Sequence, residues 1–336
     1  MTVEIPSEKW SGSVRAVTLG AGDGGGTLTS TVTVGGQDGL PFLHFEAGMP
    51  NRPAVAVEVV ERYPDEWSPE LLAAWGDDAR DPAAWARKAV AAGAELVALK
   101  LRSCHPDQGD NGPEAAVATV QAVLAAVGVP LIVYGPGVAA KDNEVLVAVA
   151  EATKGEAIAL ANCEEKNYRT IVAAALGNGH LVVAQTPIDV NLSKQLNILI
   201  SDMGLPLERV LVDPTTGALG YGLEYTYSVM ERLRIAALMG DAMTQQPMVC
   251  TVGEESWRQK ESRTPAGVPQ DWGDFGLRSV LWETTTATTL MQAGADIVVL
   301  RHPRSIAAVQ RAIAGLMDRS AKAGALTAAP ALSMGV

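Results

Sequence analysis

The residues best suited to bind a ligand lie in one stretch, residues 213–227, which reads Asp-Pro-Thr-Thr-Gly-Ala-Leu-Gly-Tyr-Gly-Leu-Glu-Tyr-Thr-Tyr. A short apolar run precedes it, and apolar residues at helical spacing follow it. This order predicts a strand, a loop and a helix, and parallel α/β folds bind ligands at such loops. Thr215 and Thr216 offer hydroxyl groups, and Gly217 lets the backbone approach a bound molecule. A Gly-rich connector explains the same composition, so the stretch alone leaves both interpretations open.

Few other residues are spaced for catalysis or metal binding. The four histidines, His44, His105, His180 and His302, share no metal-ligand spacing. The three cysteines lie far apart without a Cys-x-x-Cys pair, which argues against a disulfide framework or an iron–sulfur cluster built by this chain alone. Cys104 precedes His105 directly, but adjacent residues do not face each other well, so we interpret this cysteine as a small buried hydrophobe.

The acidic residues near predicted strand ends are interpreted as structural. We expect Asp107, Asp189 and Asp213 to cap helices or to hydrogen-bond within loops. Glu254 and Glu255 are expected to be exposed to solvent. Amides and hydroxyls that face a large polar ligand, rather than groups that transfer protons, are therefore the favoured interpretation of these loops.

A repeating unit of apolar strand, polar loop and amphipathic helix positions these residues. The strands are predicted at residues 54–59, 96–101, 131–133, 157–161, 181–184, 210–212, 248–251 and 297–300. Helices are predicted from 82, at 113–127, 143–152 and 165–176, from 191, after the 213–227 stretch, and at 282–292 and 305–317. Eight alternations predict a (β/α)8 TIM barrel.

The predicted domain organisation has three parts. Residues 1–53 form an N-terminal β-hairpin and arm packed on the barrel, residues 54–320 form the barrel, and residues 321–336 form a C-terminal tail. Gly20, Gly22 and Gly25 match a dinucleotide-binding pattern, but a Thr/Val strand follows them where that motif needs a helix. We therefore interpret residues 20–26 as a hairpin turn between strands at 14–19 and 27–34.

Composition narrows the class of protein further. The formal net charge of −12 argues against a nucleic-acid or anionic-membrane partner. The N-terminus lacks the basic and apolar segments of a signal peptide, and no run approaches the ~18 apolar residues of a membrane span. We expect a cytoplasmic protein.

Beyond these patterns, the motif at residues 213–232 resembles the small subunit of the corrinoid iron–sulfur protein, whose archaeal equivalent is the delta subunit of acetyl-CoA decarbonylase/synthase. The resemblance covers about residues 40–317. It includes Leu40, Glu46, residues 49–51, 81–88, 240–243 and 250–253, Gln246, Trp257, Lys260, and residues 281–283, 293–297 and 301–303.

The resemblance implies a TIM-barrel subunit that pairs with a large subunit as a heterodimer. The large subunit carries a [4Fe-4S] cluster and the corrinoid (cobalamin) domain, and the small subunit covers part of the corrinoid. The pair carries a methyl group from methyltetrahydrofolate, by way of a methyltransferase, to acetyl-CoA synthase. In that role this chain supplies no catalytic residue, because cobalt performs the transfer chemistry.

A corrin ring carries amides around its edge, so hydroxyl and amide side chains with close glycines are suitable partners. The predicted contacts are Thr215, Thr216, Gly217, Leu219, Tyr221, Asn162, Gln185 and Asn191.

Two other functions remain open at this stage. A free-standing pterin-dependent methyltransferase on a similar barrel would hold the pterin with Asp189, Asn191 and Asp213. An aldolase-like barrel would need a lysine at a strand end, for which Lys100 is the candidate. Burial of the Lys100 stem with its charge in water is the simpler interpretation of that residue.

Overall fold

Strands and helices alternate through most of the molecule. The computed structural model describes residues 6–22 and 29–318. The strands are β1 (Ala16–Leu19), β2 (Val32–Gly35), β3 (Ala54–Val60), β4 (Leu96–Lys100), β5 (Leu131–Tyr134), β6 (Ala159–Cys163), β7 (Leu181–Gln185), β8 (Val210–Asp213), β9 (Met248–Cys250) and β10 (Ala295–Leu300). The helices are α1 (Pro69–Trp75), α2 (Pro82–Ala91), α3 (Pro113–Ala126), α4 (Ala139–Ala152), α5 (Tyr168–Asn178), α6 (Val190–Asp202), α7 (Leu223–Leu238), α8 (Val252–Ser256), α9 (Lys260–Arg263), α10 (Phe275–Ala293) and α11 (Pro303–Met317). Within the described ranges, no helix is both long and apolar enough to cross a membrane.

Strands β3 to β10 close into one parallel barrel. Each strand pairs with the next in chain order, and β10 pairs with β3. Parallel neighbours need a crossover connection, which the intervening helices provide. The predicted (β/α)8 barrel is confirmed.

Alternation along the strands divides the core into two layers. Ala54 and Ala56 of β3 point into the barrel with Leu96 and Ala98 of β4, whereas the residues between them face the helices. Small residues such as Ala98 and larger ones such as Leu96 and Ile132 together fill the interior. The barrel is therefore a packed core rather than a pore.

The hairpin of β1 and β2 packs against the end of the barrel where the strands begin. Its two strands pair antiparallel. Val17, Leu19 and Val34 are fully buried and belong to the same apolar cluster as the barrel interior. The backbone N–H of Gly20 donates to the Ala157 carbonyl, just before β6. The loops at the other end of the barrel are therefore not covered by the hairpin.

Some predicted boundaries differ from the structure. Strand β6 begins at Ala159 and not at residue 157, where Ala157 has a φ of +48° that interrupts an extended strand. Helix α10 begins seven residues before the predicted position because Asp274 caps it, accepting from the Leu277 N–H at 2.7 Å. Helices α1, α8 and α9 were not predicted. Much of the predicted turn at 20–26, and the tail at 321–336, lie outside the described residues.

Candidate functional site

Polar side chains replace apolar ones in the last interior layer of the barrel. Glu58, Lys100, Tyr134, Gln185 and Asp213 each stand two positions after an apolar interior residue of the same strand. Lys100 and Tyr134 are paired in register, as are Gln185 and Asp213. Alternation of side chains therefore directs this whole polar set toward the barrel axis, at the carboxyl ends of the strands.

These carboxyl ends enclose a cavity of about 210 Å³, which we call the mouth cavity. Its lining consists of Lys100, Tyr134, Asn162, Gln185, Asp213, Thr215, Thr216, Thr251, Glu254, Glu255 and Arg258. Residues from the five strands β4 to β8 and from the segments that follow β8 and β9 meet here, although they are far apart in the chain.

Three buried polar atoms of the mouth cavity lack a hydrogen-bond partner within the described part of the chain. They are Tyr134 Oη, Asn162 Oδ1 and Asp213 Oδ2. The side chain of Asp213 is fully buried, and Tyr134 is only 4% exposed. A buried polar group without a partner costs about 1–3 kcal/mol. A bound molecule that supplies the missing hydrogen bonds would remove that cost.

Burial also raises the pKa of two of these groups. It raises the pKa of the Asp213 carboxyl from 3.8 to about 7, although the Thr215 N–H donates to Asp213 Oδ1 at 2.8 Å. It raises the pKa of the Tyr134 phenol well above its ordinary value, with the Asp213 charge adding to the effect. Near neutral pH the tyrosine is therefore a donor, and the aspartate can be either donor or acceptor.

The loop after β8 is held in place by its own threonines. Thr215 has a φ of +66°, which is unusual for a branched residue, and its Oγ1 donates to the Thr186 carbonyl at 2.7 Å. Thr216 Oγ1 accepts from the Thr251 N–H at 2.9 Å. The two hydroxyls thus tie β8 to the loops after β7 and β9, and this fixes the shape of the mouth cavity.

An ionic network stands at one side of the mouth cavity. Arg301 donates to the fully buried Glu58 at 2.6 Å, and Lys100 lies 3.6 Å from Glu58 and contacts Glu254 directly. Burial alone would raise the pKa of Glu58, but the charges of Arg301 and Lys100 outweigh it and lower that pKa. Lys100, aided by Arg301, holds the pKa of Glu254 far below its usual range. Both carboxylates are therefore ionised.

The expectation that Glu254 and Glu255 are solvated was wrong. Glu254 is 18% exposed at its side chain and is ion-paired, and Glu255 is half-buried beside Arg258 at 2.7 Å. The loop after β9 folds at once into α8, which turns both carboxylates back over the barrel. Lys100 is ion-paired with two carboxylates, Glu58 and Glu254. The structure therefore gives no support to Lys100 as the Schiff-base lysine of an aldolase-like barrel.

Four of the eight predicted contact residues line the mouth cavity, namely Thr215, Thr216, Asn162 and Gln185. The other four, described next, have different surroundings.

Gly217 is buried against its own loop, where an added Cβ would lie 2.4 Å from the Gly222 carbonyl oxygen. Leu219 accepts from Trp282 Nε1 at 3.1 Å, and Tyr221 is exposed with its hydroxyl toward Glu261. Asn191 is exposed at the start of α6. Asp189 caps that helix through the N–H groups of Asn191 and Leu192, as predicted for an N-cap aspartate.

An apolar groove of about 870 Å³ adjoins the mouth cavity. Pro187, Ile188, Leu192, Leu196 and Leu199 of the β7–α6 segment form much of its wall. Gln185 and Thr215 line both spaces. The open end of the barrel therefore offers a polar centre and an apolar flank to one large ligand.

The described residues contain no convergent group of three His, Cys, Asp or Glu side chains that could hold a metal ion. Burial raises the pKa of the Cys104 thiol to about 11, so this thiol stays protonated at neutral pH. The Cys104–His105 pair thus has the chemistry of a buried hydrophobe beside a loop histidine.

The predicted contact set did not include Tyr134 of the mouth cavity, nor Glu58 and Arg301 of the ionic network beside it. A signal was present for Glu58, because it is the one charged residue in the apolar strand Ala-Val-Ala-Val-Glu-Val-Val. Its partner Arg301 lies 243 positions away in the chain, and only closure of the barrel brings the two together.

The fold and the site define a class, the (β/α)8 barrels whose ligand-binding face lies at the carboxyl ends of the strands. Within that class, residues 16–310 match the model of the CO dehydrogenase/acetyl-CoA synthase delta subunit family. The chain belongs to this family.

Two relatives with the same subunit name support the assignment. The chain is 38% identical over 310 residues to the acetyl-CoA decarbonylase/synthase complex subunit delta of Archaeoglobus fulgidus, which covers 90% of this chain and 68% of that one. It is 38% identical over 306 residues to the same subunit of Methanopyrus kandleri, covering 90% of this chain and 75% of that one.

Solved structures show similarity of fold alone. The dihydropteroate synthase of Yersinia pestis with a sulfonamide drug complex superposes with a TM-score of 0.54 at 16% identity, covering 82% of this chain and 95% of that one. The Thermus thermophilus dihydropteroate synthase gives a TM-score of 0.53 at 18% identity, with 82% and 97% covered.

Proposed function

We propose that this chain is the small subunit of a heterodimeric, cytoplasmic corrinoid iron–sulfur methyl carrier. Its barrel mouth covers the corrinoid, which it shares with a large subunit that carries the [4Fe-4S] cluster. The methyl group comes from methyltetrahydrofolate through a methyltransferase and is delivered to acetyl-CoA synthase. The corrinoid supplies the cobalt that accepts and releases the methyl group. This chain binds and shields it.

The observation that carries the proposal is the set of unpartnered polar atoms at the mouth cavity. Tyr134 Oη, Asn162 Oδ1 and Asp213 Oδ2 have no partner among the described residues. A carboxamide group has both a C=O and an NH₂, so it can accept from the tyrosine and donate to the other two. The donor set fits the amide-rich edge of a corrin ring.

The apolar groove beside the mouth cavity fits the rest of such a ligand. Large cofactors bind in mostly apolar pockets with a few polar groups that fix their orientation. Ile188, Leu192 and Leu196 provide apolar surface, while Gln185 and Thr215 connect it to the polar centre. Leu219, Tyr221 and Asn191 stay predicted contacts at the outer edge, and Gly217 acts by keeping the loop compact.

The proposal is tested with the paired complex, prepared anaerobically from cells that also express a candidate large subunit. The variants Asn162→Leu and Gln185→Leu each remove an amide that lines the mouth cavity, and Asn162 Oδ1 has no hydrogen-bond partner among the described residues. We expect each to reduce the corrinoid retained per complex at least threefold, measured from the visible spectrum after gel filtration.

The matched control is Gln292→Leu, an exposed glutamine near the end of α10. Gln292 lies three positions before the first residue of β10, at the end of the barrel opposite the mouth cavity. It should retain corrinoid like the wild type. Wild-type retention in both mouth variants would contradict the proposed contacts.

A pterin-dependent methyltransferase is the second candidate, favoured by the burial of Asp213 beside Asn162 at the mouth cavity. The predicted pterin set does not converge there, because Asp189 is used to cap α6 and Asn191 is exposed. Binding of methyltetrahydrofolate by the isolated chain, lost in Asp213→Asn, would favour this function over the carrier subunit.

A further inference from the structure

Beside the barrel mouth lies a second cavity, of about 230 Å³, that the proposed function does not use. We call it the arginine cavity, because Arg102, Arg258, Arg263 and Arg301 line it. Glu66 is the one acidic residue in its lining, and it accepts from Arg102 at 3.0 Å. Four guanidinium groups therefore surround one small space in a chain whose formal net charge is −12.

Buried donors without partners point to a missing ligand. Trp67 Nε1, Ser68 Oγ and Arg301 Nε have no hydrogen-bond partner among the described residues, and all three residues line the arginine cavity. Trp67 is 7% exposed, Ser68 5% and Arg301 4%. Water cannot reach such donors freely, so each is costly to leave unpaired.

Apart from Glu66, the carboxylates that pair with these arginines do not line the arginine cavity. Glu58 pairs with Arg301 and is fully buried. Glu254 pairs with Arg258 at a distance of 3.2 Å, and Glu254 lines the mouth cavity. Arg263 makes no ion pair in the described part of the chain. The lining is therefore rich in donors and poor in acceptors, which suits an anion.

We propose that the arginine cavity binds the phosphate group of a small molecule. Arginine presents several N–H groups in a rigid fork that matches phosphate oxygens, and such charge-assisted hydrogen bonds are among the strongest in proteins. A cavity of about 230 Å³ is smaller than the ~300–1,000 Å³ of a typical ligand pocket, so it takes a phosphate with a short organic part. This inference stands independently of the corrinoid.

Isothermal titration of the full chain with inorganic phosphate and with methyl phosphate, at constant ionic strength, tests the site. We expect saturable binding of one phosphate per chain. Arg263→Gln should weaken it at least tenfold, since it removes a guanidinium that no ion pair holds. Ser68→Ala should weaken it severalfold. Stronger binding of methyl phosphate indicates a phosphate ester as the natural ligand, and stronger binding of inorganic phosphate indicates the free ion.

The matched control is Arg232→Gln, an exposed arginine on α7 that makes no ion pair among the described residues and lies outside the arginine cavity. It should bind phosphate like the wild type. The inference is overturned if neither phosphate saturates the wild type, if acetate binds as tightly as phosphate, or if Arg263→Gln and Arg232→Gln behave alike.

Discussion

Asp213 affects both the stability of the folded chain and the hydrogen bonds that the mouth cavity can offer. The carboxyl is fully buried, and among the described residues its Oδ1 accepts from the Thr215 N–H while its Oδ2 has no partner. A charge in that position is disfavoured, because burial removes its hydration. The residue can therefore bind a neutral amide either as an acid or as a base, depending on pH.

The raised pKa of Asp213 predicts a pH-dependent loss of stability. Between pH 3.8 and about 7 the folded chain holds a proton that the unfolded chain has lost, so the free energy of unfolding falls as pH rises through this window. The total fall is on the order of 4 kcal/mol. Asp213→Asn cannot ionise, and its Oδ1 can still accept from Thr215.

Urea unfolding at several pH values measures this effect. The stability of the wild type minus that of Asp213→Asn should decrease from pH 4.5 to pH 7.5 and then level off. A difference that stays constant across this range would show that Asp213 is not held in a desolvated site.

At the scale of elements, the β1–β2 hairpin acts as a plug for the barrel. Leu19 is fully buried and clusters with interior residues such as Leu96 and Ile297. Thr18, its neighbour on β1, is exposed, and its hydroxyl lies 2.9 Å from the hydroxyl of Thr33 across the hairpin. A substitution at Leu19 therefore tests the packing of the hairpin against the barrel, whereas a substitution at Thr18 tests an exposed position on the same strand.

Leu19→Ala should lower the free energy of unfolding by about 2–5 kcal/mol, because it leaves a cavity under the barrel. Thr18→Ala should cost less than about 1 kcal/mol, since it removes one exposed hydrogen bond. Chemical denaturation compares the two variants. Equal effects would mean that the hairpin contributes no packing to the barrel.

The elements also show what the sequence could and could not predict. Every barrel strand was found from its apolar run, because parallel strands covered by helices are buried on both faces. The start of β6 was missed by two residues, since nothing local indicates the positive φ of Ala157. Four mouth residues, among them Thr215 and Asn162, were predicted from their position after strands.

The ionic network could not be predicted because its members lie far apart in the chain. Glu58 and Arg301 meet because β10 pairs with β3 and closes the barrel. Glu254 was taken as solvated because its sequence gives no hint of α8. Interactions between residues on different strands become visible only when the barrel is complete.

At the scale of the whole molecule, one end of the barrel is covered and the other is open. The hairpin covers the end where the strands begin, and the polar mouth cavity, the apolar groove and the arginine cavity lie at the other. The chain belongs to the CO dehydrogenase/acetyl-CoA synthase delta subunit family. We therefore propose that the corrinoid-bearing large subunit binds at this open end.

Co-purification tests the central proposal most directly. The tagged chain is expressed in an anaerobic host together with a candidate large subunit, and the purified material is sized and its visible spectrum recorded. The proposal predicts a one-to-one complex with both corrinoid and iron–sulfur absorbance. A lone, colourless chain that binds methyltetrahydrofolate would contradict it.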